Sequence, residues 1–273
     1  MKTTTPRGVG PTLAVSSRLL GNVAPWEAAE AAARLGFAGV ELWTGPLRSR
    51  WSARSIRRRL DAVPVRRYLH IPPHDLNPCS VNPRIRRASR DEIRGSLRTA
   101  AALGIRQAVM HPGRVSNTKG DTDGLWPMLV ESLVELCAYA DRHGVRVAIE
   151  AMERRPKELL VRPEEMARLF SDAPGLRAGV CLDLAHAWTV DPGCADRFIE
   201  GLGERIVHVH FSHVGEEQIH LPLDRGLSPA SPSALGFLRT FAGPITLEGA
   251  GRAWPEAAQV GVDAMRRLFE EGG

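Results

Sequence analysis

The chain has 273 residues, 43% of them hydrophobic and 25% charged, the balance of an ordinary globular protein with a sizeable core. A formal net charge of +5 and a pI near 9.4 are too mild for a dedicated nucleic-acid binder. No apolar run approaches the roughly 20 residues that a membrane-spanning helix needs.

Cys79, Cys137, Cys181 and Cys194 show no C-x-x-C spacing, which argues against a disulfide framework and for a reducing cytoplasm. The N-terminal residues lack the apolar stretch of a signal peptide. Residues 1–8 are expected to form a loose tail, with one domain over 9–273.

Residues 12–16 (TLAVS) read as the first strand. An Ala-rich helix follows over 25–35, with Pro25 in the first turn, where proline is preferred, and Gly36 at its end. Residues 38–43 (AGVELW) form the second strand, on which Glu41 and Trp43 share a face. Across 52–63, Ile56, Leu60 and Val63 recur at helical spacing, and 65–71 is the third strand. A loop, PPHDLNPCSVNP, leads to a helix over 83–103, whose apolar face includes Ile93, Leu97 and Ala100 and which Gly104 stops. Residues 105–111 are the fourth strand, and a polar loop spans 113–124. The longest amphipathic helix covers 125–143, and 145–150 is the fifth strand. The charged loop MERRPKE and a helix over 163–170 precede the sixth strand, 178–183. A helix over 191–202 opens with Asp-Pro, and 205–211 is the seventh strand. A loop holding His213, His220 and Pro222 leads to a helix over 233–241, the eighth strand at 244–248, and a last helix over 255–270.

About eight strands alternating with about eight helices over roughly 250 residues give the rhythm of an α/β protein with a single (β/α)₈ TIM barrel. A doubly wound open sheet is the alternative, but it usually carries a Gly-rich phosphate turn after the first strand, and none is present.

The chemistry gathers at strand ends. In AGVCLDLAHAW an apolar run delivers Asp183 and then His186; other runs end in His70, His111, Glu150, His210 and Glu248. In a (β/α)₈ barrel these ends converge on the face that holds the active site. The candidate set is therefore His70, His111, Glu150, Asp183, His186, His210, His220 and Glu248. Imidazole and carboxylate donors without thiolate suit Zn²⁺, Mn²⁺, Fe²⁺ or Co²⁺ better than Mg²⁺ or Ca²⁺, and a shared carboxylate lets such a set hold one ion, two, or at the limit three. His208 faces the same side one layer deeper and reads as a core histidine; His74, His143 and His213 fall in loops or at a helix end. After the second strand, Arg48, Arg50 and Trp51 stand where a phosphate or a nucleic-acid backbone would be met, whereas Arg57 to Arg59 read as the wet side of a helix. Arg154, in the Glu153-Arg154-Arg155 loop, is placed to bind an anionic substrate group.

The segments HIPPHDLNP, AVMHPGR, VAIEAM, GVCLDLAHAW, VHVHFSH, IHLPLDRG and ITLEG together resemble the xylose-isomerase-like TIM-barrel superfamily, which includes sugar-phosphate isomerases and epimerases and endonuclease IV. The epimerase branch implies one divalent metal, Zn²⁺ or Mn²⁺ above others, held by Glu150, Asp183, His210 and Glu248. It also implies that the two glutamates act as the acid/base pair and that His186 holds a substrate hydroxyl. The endonuclease branch implies a second ion at His70, His111 and Glu150, and a third that includes His186 and His220. Two positions depart from that branch. Gln218 stands where a carboxylate ligand is expected, and Pro72-Pro73 replaces an aromatic wedge.

The leading expectation is a metal-dependent isomerase or epimerase of a small sugar, sugar phosphate, polyol or keto acid. Its partner is a carbohydrate-like small molecule, with no membrane and with homo-oligomers allowed. The alternatives are a phosphodiester hydrolase acting on DNA, a lyase or dehydratase using the same proton abstraction, and a binding protein that keeps the barrel without turnover.

Overall fold

Short apolar strands separated by amphipathic helices bury both strand faces most readily in a parallel sheet that the helices cover. In the computed structural model, which describes residues 10–43, 51–116, 122–249 and 256–269, eight such strands close in sequence order into one parallel barrel. They are β1 Thr12–Ser16, β2 Gly39–Trp43, β3 Arg66–His70, β4 Gln107–Met110, β5 Arg146–Glu150, β6 Ala178–Asp183, β7 Ile206–Phe211 and β8 Pro244–Leu247. The described helices are α1 Pro25–Leu35, α2 Ala53–Leu60, α3 Pro83–Ala102, α4 Thr122–Arg142, α5 Pro163–Asp172, α6 Leu184–Trp188, α7 Cys194–Leu202, α8 Pro232–Thr240 and α9 Glu256–Phe269. The chain is a single (β/α)₈ barrel, and no described helix is long and apolar enough to cross a membrane. The expected N-terminal tail lies outside the described residues. All four cysteines are free and buried.

Local signals start the helices. Asn82 Oδ1 accepts the Arg84 and Ile85 N–H groups (2.9 and 3.4 Å) and Pro83 opens α3; Ser231 Oγ accepts the Ala234 N–H (3.0 Å) and Pro232 opens α8. Each pairing satisfies donors that a helix start leaves unpaired.

The helix expected over 191–202 begins at Cys194, and a further turn that was not expected lies ahead of it at Leu184–Trp188. The Asp183 carboxylate caps a single turn, α6, by accepting the His186 N–H at 2.9 Å. Asp191 Oδ1 then accepts the Gly193 N–H (3.0 Å), a turn that delays α7 to Cys194. Short 3₁₀ turns at Ser17–Leu20 and Gly203–Arg205 were also not foreseen.

The main apolar core lies outside the barrel wall, where residues such as Leu42, Leu69, Ile149, Leu182 and Phe211 pack with helix residues such as Ile56, Leu97, Leu133 and Phe198. The barrel interior is different. Paired residues in adjacent parallel strands point to the same face, and the register Trp43↔His70↔Val109↔Ala148 and Glu150↔Cys181↔His208, with Asp183↔His210↔Thr246, turns these side chains inward. Among the described residues a small apolar cluster there is formed by Val109, Ala148, Cys181 and Val207. Most such barrels fill the interior with Val, Ile and Leu; this one also holds buried Glu41, His208, His210 and Thr246.

Two loops are tied together above β3 and β4. Asn77 Oδ1 accepts the Arg114 N–H (3.1 Å) and its Nδ2 donates to the Arg114 carbonyl (2.8 Å). Gly113, at φ +112°, fits under this clamp because a Cβ there would stand 2.7 Å from Cys79 Sγ.

Removing the Asn82 cap tests the account of α3. Asn82→Ala is expected to cost about 1 kcal/mol, read as a lower urea midpoint at unchanged slope. An unchanged midpoint would mean that the cap carries no stability.

Candidate metal centre

The ends of the four strands β5 to β8 each contribute a donor. Glu150 ends β5, Asp183 ends β6 and His210 lies one residue before the end of β7. Glu248 follows β8 and continues its ladder through a hydrogen bond to the Phe211 carbonyl (3.0 Å). One donor atom from each of these four lies within 4.8 Å of the others. Among the described residues four further groups meet the same limit: His70 with His111 and Glu150, Asp183 with His186 and His220, His70 with His210 and Glu248, and, one layer deeper, Glu41 with His208 and His210. All eight residues expected at the site are therefore brought together.

Hydrogen bonds decide which atom of each group faces the centre. His70 Nδ1–H donates to the Ile71 carbonyl (2.8 Å) and His186 Nδ1–H to the Ala151 carbonyl (3.0 Å), which leaves both Nε2 lone pairs free. His210 does the reverse. Its Nε2–H donates to Glu41 Oε2 at 3.2 Å, and its Nδ1 stands 2.9 Å from Glu248 Oε2, 3.4 Å from Glu150 Oε1 and 3.8 Å from Asp183 Oδ2. Asp183 spends Oδ1 on the α6 cap and turns Oδ2 inward.

The inward atoms are Glu150 Oε2, Asp183 Oδ2, His210 Nδ1 and Glu248 Oε2, all buried without a hydrogen-bond partner. His210 Nδ1 and Glu248 Oε2 approach to 2.9 Å, and His111 Nε2 and Glu150 Oε2 to 3.0 Å, without satisfying either carboxylate oxygen. A single unsatisfied buried polar atom costs on the order of 1–3 kcal/mol, more if charged, so four such atoms clustered around His210 and Glu150 are explained by bound positive charge. The donors fit a divalent ion of the zinc, manganese, iron or cobalt type. No thiolate competes, since burial holds the Cys181 thiol well above its ordinary range.

The charges lean on one another. Burial raises the Glu150 carboxyl, but His111, His210 and His70 hold it well below the usual range. Burial is likewise outweighed at Glu248, where His210 and His220 hold the pKa at about 2. Burial opposes the cationic forms of His70 and His186, yet Glu150 and Glu41 raise the first, and Asp183 and Glu150 the second.

The remaining expected residues lie further out. His220 has a left-handed backbone (φ +62°), and its Nδ1 is 3.2 Å from Ser212 Oγ. Arg154 is exposed and lines a cleft of about 800 Å³ with Trp188, Glu217 and His220. Arg48 and Arg50 lie outside the described residues. Trp51 is half-buried and packs edge-on against Trp26 (4.8 Å between ring centroids). His208 is a satisfied core histidine, bonded to Gln107 and Thr246.

Two residues were missed as site residues. Glu41 is fully buried beneath the centre, and Trp43 stacks on His70 (4.0 Å, 7°) with its Nε1–H on Ser16 Oγ (3.0 Å). The available signal was a glutamate inside an apolar strand, in phase with the tryptophan at its end.

Residues 29–268 match the family described as xylose isomerase-like TIM barrel. A probable endonuclease 4 of Mycobacterium leprae is 29% identical over 188 residues, covering 65% of this chain and 69% of that protein. A Methanocaldococcus jannaschii protein of uncharacterized function is 27% identical over 176 residues, or 61% of this chain. The match spans 58% of that relative's own length. Among solved structures, a D-tagatose 3-epimerase-like protein superposes with a TM-score of 0.81 at 21% identity, covering 95% of this chain and 97% of the other, which shows a common fold.

Asp183→Ala and Glu248→Ala are each expected to lose a tightly held divalent ion, measured by elemental analysis of dialysed protein; full retention in both would remove these residues from the centre. Stability should also depend on pH in the metal-free protein. The lowered carboxyl groups contribute above about pH 4.5, and this is lost as pH falls through the folded value, about 2 for Glu248. The raised imidazoles contribute below about pH 6.5, and this is lost as pH rises through their folded values. The metal-free Tm should therefore fall from about pH 6 to about pH 8, and added Zn²⁺ should raise it more at the higher pH. An equal gain at both values would mean that the imidazoles do not share the cation's site.

Proposed function

The chain belongs to the xylose isomerase-like TIM-barrel family, and we propose that it is a divalent-metal-dependent isomerase or epimerase of a small sugar, sugar phosphate, polyol or keto acid. The observation that carries this reading is the placement of two glutamates, Glu150 and Glu248, against the same His210 Nδ1, at 3.4 and 2.9 Å. Each keeps one buried oxygen without a hydrogen-bond partner. The D-tagatose 3-epimerase-like neighbour supports a ketose as the substrate class.

A divalent ion held by Glu150, Asp183, His210 and Glu248 would supply Lewis-acid stabilisation of negative charge on the substrate's oxygens. The protein's own groups do the rest. One glutamate takes the proton from the carbon beside the carbonyl, and the electron pair moves into an enediolate. The other glutamate returns a proton to the opposite face, so the carbon inverts and no atom is gained or lost. His186, held through Nδ1 on the Ala151 carbonyl, presents Nε2 to a substrate hydroxyl. Arg154 at the cleft rim suits an anionic substituent such as a phosphate or carboxylate.

A second reading, a phosphodiester hydrolase, is favoured by one feature. His70 Nε2 and His111 Nε2 both face Glu150 Oε2, at 3.5 and 3.0 Å, as a second cation would require. Against it stand the exposed Gln218 beside His220 and the packing of Trp51 on Trp26.

The test is to incubate metal-loaded protein with D-tagatose and other ketoses in D₂O. The expected result is an epimer carrying one solvent deuterium beside the carbonyl, with Glu150→Gln and Glu248→Gln each lowering kcat by roughly 10²–10⁴-fold while circular dichroism is unchanged. A dehydrated product would move the assignment to a lyase. Cleavage of abasic duplex DNA without exchange into any ketose would overturn the isomerase reading.

A further inference from the structure

Glu41 lies one layer below the candidate ligands and is fully buried. Its Oε2 is 3.2 Å from His210 Nε2 and 3.0 Å from His208 Nε2, and its Oε1 has no partner. We propose that Glu41 is the positioning residue of the centre: by accepting the Nε2–H of His210 it keeps the Nδ1 lone pair directed at the cation and adds a negative charge behind that ligand. The inference rests on the metal-centre reading above.

The surroundings make this role necessary. Around His210 Nδ1 stand three carboxylates, with Glu248 Oε2 at 2.9 Å and Glu150 Oε1 at 3.4 Å. A neutral imidazole free to choose would place its one proton on Nδ1, facing these acceptors, and that nitrogen would no longer be a ligand. Only an equally strong acceptor behind the ring reverses the choice, and Glu41 is the carboxylate there. A histidine ligand whose other nitrogen donates to a carboxylate is both oriented and made more basic.

His208 completes the arrangement from below. The Gln107 amide donates to the Val207 carbonyl (3.0 Å) and, through the same nitrogen, to His208 Nδ1 (2.9 Å). His208 therefore carries its proton on Nε2, which donates to Thr246 Oγ1 at 2.8 Å. It stands beside Glu41, whose Oε2 lies 3.0 Å from the same Nε2. Of the two histidines that face Glu41, His210 is the one whose other nitrogen faces the candidate centre. The partners are 169 positions apart in the chain, and the barrel's closure alone brings them together.

The experiment compares Co²⁺ affinity, by competition with a chromophoric chelator, in wild type, Glu41→Gln and Thr246→Val. Glu41→Gln preserves shape and removes charge; the expected result is roughly 10–100-fold weaker binding, with an altered visible spectrum of the bound Co²⁺. Thr246→Val removes the hydroxyl bonded to His208 Nε2 while leaving Glu41 in place, and should bind within about 3-fold of wild type. In the Zn²⁺-loaded wild type, ¹⁵N spectra should show His210 protonated on Nε2, a measurement that stands even if Glu41→Gln does not fold. Wild-type affinity and spectrum in a folded Glu41→Gln, or a proton on His210 Nδ1, would overturn the inference while leaving the metal centre intact. Failure of the wild type to bind Co²⁺ would instead overturn the metal centre and the inference with it.

Discussion

The constraint on which the structure turns is the burial of carboxylates in a barrel that offers them little but imidazole. Glu41, Glu150 and Asp183 are each at most 1% exposed. Among the described residues, the ion pairs made by these three and by Glu248 are with His70, His111, His186, His208 and His210. Moving an ion out of water costs several kcal/mol even after relaxation, and neutral imidazoles cannot repay that. Stability has to come from elsewhere, and it comes from the apolar layer between strands and helices, where Leu69, Leu97, Ile149 and Phe198 are essentially inaccessible. The barrel thus separates two tasks that most proteins mix: cohesion lies outside the wall and chemistry inside it.

The same economy operates within single side chains. Asp183 caps α6 with one oxygen and offers the other to the centre. His70 and His186 anchor through Nδ1 to backbone carbonyls, and His210 anchors through Nε2 to Glu41. Each group is held by the atom that does not work, which removes rotamer freedom before any ligand arrives and lowers the entropy lost on binding. The capping of α6 explains why the chain spends a separate turn immediately after β6. Without that turn, the His186 N–H would not fix the Asp183 carboxylate.

Much of this was legible in the sequence because it obeys local rules. Period-two strands closed by acidic or histidine residues, helices opened by proline and stopped by glycine, and the alternation of the two suffice for the barrel and for gathering the eight candidate residues. What was not legible depends on contacts across the barrel. Glu41 looked like one polar residue in AGVELW, since its partners His208 and His210 belong to the seventh strand. Trp43 acquires its role from stacking on His70, a strand away. The extra turn at Leu184–Trp188 arises from one carboxylate's choice between a backbone N–H and the centre, and hydrophobic periodicity does not record that choice. Trp51 packs against Trp26, a contact between residues 25 positions apart that the sequence pattern does not record.

The division between proton transfer and hydrolysis comes down to one oxygen. Glu150 faces His210 Nδ1 with Oε1 and the His70 and His111 Nε2 atoms with Oε2. Because the Ile71 carbonyl holds the His70 proton on Nδ1, His70 Nε2 and Glu150 Oε2 are two lone-pair atoms facing one another at 3.5 Å. That arrangement is repulsive unless something positive lies between them. A second metal ion there would bind Oε2 and leave Glu150 too weak a base to take a proton from carbon, which suits an enzyme that activates water. A proton there, shared with an imidazole whose basicity the same carboxylates raise, keeps Glu150 in the acid/base role and gives the abstracted proton a path away from the substrate. The residues are the same in both cases, and the two readings differ in the charge they place in the gap between His70 and Glu150.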